Sequence, residues 1–206
     1  MSEFRPSLPF SVPAFIIPAV YEKVNGVSVK KDFYSLKISV LDGVRLITVS
    51  KNGAQNTDTL WVKTKYRSPG SETWTEGVSR SITGEYRSTY STVGITYWVG
   101  LYENNTATDP LCEVIASDGQ VLDTASDNYV FVSAKSYGGT ERIVNDKYVI
   151  VDTLSVETWY RPDLTSEKLL RLLDDGSVWE IINTPEDINR RHQWLVFKVQ
   201  RYKGKA

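Results

Sequence analysis

The sequence predicts an all-β fold in which a small β-barrel built from both ends of the chain carries an inserted β-sandwich. Three observations predict it. Short runs rich in Val, Ile, Thr, Tyr and Trp recur along the 206 residues, and such residues suit a pleated, half-buried surface. Between the runs stand Asn25-Gly26, Asp42-Gly43, Asn52-Gly53 and Asp118-Gly119, dipeptides that close tight turns. Helical periodicity is scarce, and residues 34–127 differ in tone from the flanks 1–33 and 128–206.

At the start of the chain Pro6, Pro9, Pro13 and Pro18 forbid a helix. The apolar run Phe10 to Val20 is too short to span a bilayer, and no basic segment followed by a long apolar core and a small-residue cleavage site precedes it. Synthesis in a reducing cytoplasm is expected, with no membrane partner. A hairpin region follows around Asn25-Gly26 and ends at Phe33.

Residues 34–127 hold most of the Thr, Ser, Gly and Asn turn material, with Trp61 to Trp74 and Thr96 to Tyr102 as the main apolar runs. Strands spaced about ten residues apart, with internal Trp and Tyr, suggest an immunoglobulin-like or fibronectin III-like sandwich. This segment has 8 basic and 11 acidic residues, against 16 and 14 in the two flanks together. The shift agrees with a boundary drawn on other grounds.

Beyond it, Tyr129 to Ser133, Tyr148 to Asp152 and Gln193 to Val199 have the length and apolarity of strands. Thr165 to Leu173 could start a helix. Asp174-Asp-Gly-Ser177, however, is a strong turn signal between Lys168 to Leu173 and Val178 to Ile182, so a hairpin accounts for both flanks. In the last strand Leu195, Phe197 and Val199 share one face, and Trp194, Val196 and Lys198 the other. Arg201 to Lys205 then forms a basic tail.

Composition excludes several functions. With 24 basic and 25 acidic side chains the formal charge is -1, which leaves no bulk footprint for nucleic acid or an acidic membrane. The single Cys112 and single His192 exclude an intramolecular disulfide, a zinc-finger site and a multi-histidine metal cluster. Gly138-Gly139 lacks the spacing and the following helix of a phosphate-binding loop. His192 has no Ser or Cys motif to activate, and the carboxylates are scattered on turns without a framework that pairs them. No enzyme, cofactor or metal is expected. Trp74, Tyr86, Tyr90, Tyr97, Trp98 and Tyr102 would make an aromatic platform for sugar rings if several shared an exposed face; aromatics in a sandwich are more often core.

Three signatures crowd the C-terminal flank: Tyr137-Gly-Gly-Thr-Glu141, Val156-Glu-Thr-Trp-Tyr-Arg-Pro-Asp163 and Trp179-Glu-Ile-Ile-Asn-Thr-Pro-Glu-Asp-Ile-Asn-Arg-Arg191. With 34–127 set aside, they follow Pro9-Phe-Ser-Val-Pro-Ala-Phe-Ile-Ile-Pro18 and Val24-Asn-Gly-Val27, and lead into Trp194 to Arg201. In that order, residues 9–33 and 129–204 resemble the head-closure proteins, the head-to-tail connectors or stoppers, of long-tailed bacteriophages. Those compact proteins lack the middle segment.

The resemblance implies a connector-type β-barrel that assembles as a homo-oligomeric ring in the virion neck, below the portal and its adaptor protein. Such a ring retains the DNA of the filled head and receives a tail terminator or tail-completion protein; the basic tail would then meet either an acidic ring neighbour or the phosphates of packaged DNA. A channel or gating loop would lie at Tyr137, Gly138, Gly139, Thr140, Glu141 and Arg142, with the glycines supplying backbone freedom. Trp159, Tyr160, Arg161, Arg201, Lys203 and Lys205 are candidate interface residues, being aromatic or basic. The alternative is a host-adhesion or carbohydrate-binding virion protein that acts through the inserted domain.

Overall fold

The computed structural model describes residues 9–144 and 147–202, and the side chains of all of these except 22, 23 and 137–151. It divides into two units: the chain up to Lys31 together with the chain from Asp127 onward, and Asp32–Ser126. Both are built of antiparallel strands.

The chain enters the first unit with β1 (Val12–Ile17) and then makes a ribbon of β2 (Val20–Val24) and β3 (Val27–Lys31), which is a two-stranded sheet of its own. Asn25 and Gly26 close the ribbon with φ of 50° and 81°, the left-handed pair that a two-residue hairpin needs. Asp42-Gly43 and Asn52-Gly53 repeat this geometry, with φ near 51° and 74° in each.

The second unit contains β4 (Tyr34–Leu41), β5 (Val44–Lys51), β6 (Ala54–Gln55), β7 (Leu60–Arg67), β8 (Thr75–Ile82), β9 (Glu85–Thr89), β10 (Thr96–Tyr102), β11 (Cys112–Ser117) and β12 (Gln120–Asp123). One sheet runs β11-β10-β7-β8; the other runs β12-β4-β5, with β6 and β9 both pairing β5. Alternate residues point inward, among them Leu36, Ile38 and Val40 of β4, Ile47 and Val49 of β5, Val62 of β7, and Tyr97, Val99 and Leu101 of β10. The two sheets thus close on one apolar core, a β-sandwich. Asp118-Gly119 is a turn, but it carries the chain from one sheet to the other: Asp118 N–H donates to Ile95 O (2.9 Å) and Gly119 N–H to Val40 O (2.8 Å).

Inside this sandwich Gly77 belongs to a bulge in β8: the β7–β8 register shifts between Lys63 and Lys65, so Gly77 and Val78 together stand opposite Thr64. A Cβ at Gly77 would lie 2.5 Å from Thr64 Oγ1 and 2.9 Å from Thr64 O, and that hydroxyl already receives the Val78 N–H at 2.9 Å. Gly77→Ala is therefore expected to cost about 1–3 kcal/mol through overpacking. Thermal unfolding of the variant, followed with a probe in the sandwich, checks it.

The chain returns to the first unit with β13 (Tyr129–Val144), β14 (Lys147–Trp159), β15 (Leu169–Leu172), β16 (Val178–Ile181), β17 (Glu186–Asp187) and β18 (Trp194–Arg201). The order β14-β13-β1-β15-β16-β18 closes on itself because β18 also pairs β14, giving a six-stranded barrel. The β14–β18 pairing removes the open edge that β14 and β18 would otherwise present in the barrel wall. Ala14, Ile16, Val132, Val156, Leu170, Leu172, Trp179, Ile181, Leu195, Phe197 and Val199 fill the interior. Leu195, Phe197 and Val199 share the inward face, as their alternation predicts. The hairpin expected across Asp174-Asp-Gly-Ser177 also forms, with Leu170 opposite Trp179.

One expectation is corrected. Tyr137 to Arg142 is not a loop between barrel strands but part of β13, paired along the arm from Gly139↔Asp152 to Val144↔Lys147. The register shifts between Ser136 and Gly139, so Tyr137 and Gly138 stand opposite Thr153 alone. Tyr137 and Gly138 thus form a bulge within the hairpin, which continues paired beyond it.

Candidate assembly surfaces

Trp159, Tyr160 and Arg161 are neighbours in sequence, and the structure sends them three ways. Successive strand residues face opposite sides of a sheet. Thr158 points inward and is buried, whereas Trp159 is 61 % exposed. Tyr160 turns back against the barrel core, its N–H donating to Gln193 O (3.0 Å) and its ring lying 4.6 Å from that of His192.

Arg161 is spent within the subunit. Its Nε and Nη2 donate to the two carboxylate oxygens of Asp163 at 3.0 and 2.9 Å, and Nη1 donates to Asp127 O at 2.5 Å. Lys168 Nζ reaches Asp163 Oδ2 at 2.9 Å. The bidentate guanidinium, then Lys168, hold the Asp163 carboxyl well below the usual aspartate range. A depressed carboxylate contributes stability that is complete above the ordinary aspartate value and is lost as the pH falls below it. Asp163→Asn should therefore lower the melting temperature of the barrel near neutral pH. The gap to the unmodified protein should close as the pH is lowered through and below the ordinary aspartate range.

The residue that does face outward belongs to an aromatic row that single-strand reading misses. Val130 and Val132 point into the barrel, so Tyr129 and Phe131 point out, 45 % and 58 % exposed. Val132 pairs Thr158, which places Phe131 beside Trp159; Pro13 of β1 lies opposite Phe131 on the other side. Phe10 meets Trp159 edge-on with ring centroids 4.8 Å apart, and Phe15 meets Tyr129 in the same way at 4.9 Å. The signal is present in Tyr129-Val-Phe-Val132, where Val alternates with an aromatic residue. An exposed cluster of this kind marks a binding surface more often than a single exposed ring does.

Arg201 ends β18 with its guanidinium 5.5 Å from the Trp179 ring centroid, and Trp179 Nε1 donates to Ser177 Oγ at 2.6 Å. Lys203 and Lys205 lie outside the described residues, as do the side chains of Tyr137 to Arg142. His192 closes a tight turn: its N–H donates to Asp187 Oδ1 (3.0 Å) and Nδ1 lies 2.8 Å from Asp187 Oδ2. Asn189, Arg190 and His192 all have φ between 53° and 56°, a left-handed backbone that non-glycine residues adopt at a cost. Asp187 grips the last of them.

The aromatic platform does not assemble in the sandwich. Tyr97 is in the core and Tyr86 and Tyr90 pack against it, while Trp74 lies under Arg67 (5.1 Å). Trp98 and Tyr102 lie on the opposite face of β10 across Gly100, beneath Lys65 and Lys63 at 5.6 and 4.3 Å. Buried Arg45 sits 4.4 Å from the Tyr97 ring centroid and donates to Ser88 Oγ, so the tyrosines serve an internal cation.

Among the described residues no three His, Cys, Asp or Glu side chains gather to hold a metal ion, and no helix is long and apolar enough to cross a membrane. No family model, curated protein or solved structure matches the chain.

Proposed function

We propose that this protein is a head-closure connector of a long-tailed bacteriophage virion, a non-enzymatic ring component that seals the DNA-filled head below the portal adaptor and offers the tail its docking surface. The observation that carries the reading is the closed six-stranded barrel assembled from both ends of the chain, because the three signatures that resemble connectors all lie on its strands and turns. Two further features support it. The β13–β14 arm continues past the bulge at Gly138 as a paired hairpin, a shape able to reach into a channel. The outer wall presents Phe131 and Trp159 to a neighbour.

On this reading the barrel is the rigid element, and the arm takes the gating role expected of residues 137–142. We read the insert as an immunoglobulin- or fibronectin III-like sandwich, since β7-β10-β11 and β4-β5-β9 pair in the manner of the two sheets of that architecture. The chain's function is tested by removing it from the phage that encodes it. Heads should fill and then lose their DNA, tails should accumulate unattached, and the chain supplied in trans should restore both. Tailed, infectious particles formed without the chain would overturn the proposal.

A further inference from the structure

The chain holds two Asn-Gly dipeptides, Asn25-Gly26 and Asn52-Gly53, and the fold gives them the same backbone but opposite side-chain surroundings. Both close two-residue hairpins with left-handed φ, 50° and 81° in the first and 51° and 74° in the second. Asn52 is held firmly: its N–H donates to Phe33 O (2.8 Å), its Oδ1 accepts the Phe33 N–H (2.8 Å), and its Nδ2 donates to Asp32 Oδ1 (2.7 Å). Its neighbouring strand β5 pairs β4, β6 and β9. Asn25 is exposed, and its side chain makes no hydrogen bond among the described residues. A Cβ on Gly26 would meet nothing within 4 Å, so this turn stands in open space. The ribbon it closes is a sheet of two strands only, and such a pair is marginal in water. Lys30 Nζ ties the ribbon to Glu167 O at 3.1 Å, but at the end remote from the turn.

We propose that Asn25 is a site of spontaneous deamidation, with water as co-reactant, and that the fold shields Asn52 from the same reaction. Asparagine is a thermolabile residue, most of all before glycine, which has no side chain to hinder attack by its amide nitrogen. The Gly26 amide nitrogen gives up its proton to hydroxide and attacks Asn25 Cγ. The N–Cγ bond forms, the Cγ–Nδ2 bond breaks, and Nδ2 takes a proton from water and leaves as ammonia, closing a cyclic imide. Water then opens the imide. Attack at Cγ gives aspartate, and attack at the backbone carbonyl carbon gives isoaspartate, whose main chain runs through Cγ and is one carbon longer. The attack requires the turn to leave its hairpin geometry, so the rate follows local opening, which is easy in a lone ribbon and hard beside a strand paired on both sides. Isoaspartate also breaks the two-residue turn that sets Val24 opposite Val27. The reaction is thus a one-way opening of the β2–β3 ribbon, and it stands apart from the neck reading above.

Incubation of the full chain in mildly alkaline buffer, followed by peptide mass mapping and isoaspartate quantitation, tests the site. The Asn25 peptide is expected to gain the mass of an amide-to-acid conversion several-fold faster than the Asn52 peptide. In denaturant, where neither turn survives, the two rates should converge, which assigns the difference to the fold and not to flanking residues. Asp32→Ala, which releases Asn52 Nδ2, should speed conversion at Asn52 and leave the rate at Asn25 unchanged. In the converted chain hydrogen exchange should quicken across β2 and β3 while the barrel strands keep their protection. Conversion at Asn52 as fast as at Asn25 in the folded chain, no conversion at Asn25, or a ratio unaltered by denaturant would overturn the inference.

Discussion

Phe197→Ala is expected to destabilise the barrel by about 3–5 kcal/mol, the range for emptying a buried aromatic site. Phe197 is 1 % exposed and sits in the strand that closes the barrel, opposite Val156 of β14. Its ring occupies interior volume that Ala14, Val132 and the other small wall residues are too short to refill. The loss should appear as a fall in melting temperature of more than about 10 °C for the barrel. Hydrogen exchange should quicken in β13, β14 and β18. Phe197→Leu, which keeps most of the volume, should lose far less.

Cutting the chain should have the second large effect, and an opposite one at the two cuts. A chain ending at Gln193 lacks β18, which pairs β14, β16 and β17 at once. It also loses Leu195, Phe197 and Val199 from the core. The expected product has no cooperative barrel transition, because opening the barrel exposes two edges as well as apolar surface. Residues 32–126 alone should instead fold, because every member of the sandwich core lies between Leu36 and Ala116 and none belongs to the barrel. A cooperative thermal transition and dispersed amide resonances from this fragment would show it. Native-like exchange protection in the chain cut at Gln193 would count against the closed barrel.

What local sequence conveys, and what it does not, divides along physical lines. The left-handed turns at Asn25, Asp42 and Asn52 were legible because only a few residue types tolerate that backbone, and the next residue was Gly each time. The inward face of Leu195, Phe197 and Val199 was legible from period-two alternation alone, and so was the hairpin across Asp174 to Ser177. Asp118-Gly119 gave a turn but no hint that it changes sheets, since sheet membership depends on β4 and β10, far away in sequence. Gly138-Gly139 read as loop freedom, whereas pairing with Lys147 to Asp152 makes it a bulge within a long arm. A glycine pair has the same local preferences in both settings.

The candidate interface was legible in part for the same reason. Trp159, Tyr160 and Arg161 are all residue types common in interfaces, but a strand turns consecutive residues to opposite sides, and only Trp159 of the three is both apolar and outward. Arg161 was already committed to Asp163, two residues away, in a bidentate pair. The aromatic row of Tyr129, Phe131 and Trp159 depends on the β13–β14 register, a long-range fact that composition does not encode. Phe10 joins it only because β1 lies against β13.

The central claim, a barrel ring at the head-to-tail junction, is tested most directly by electron microscopy of virions carrying a labelled copy of this chain. The account predicts label in a single band at the neck, between the portal and the tail, with none elsewhere on the particle. Label on the capsid shell or at the tail tip, with the neck bare, would contradict it.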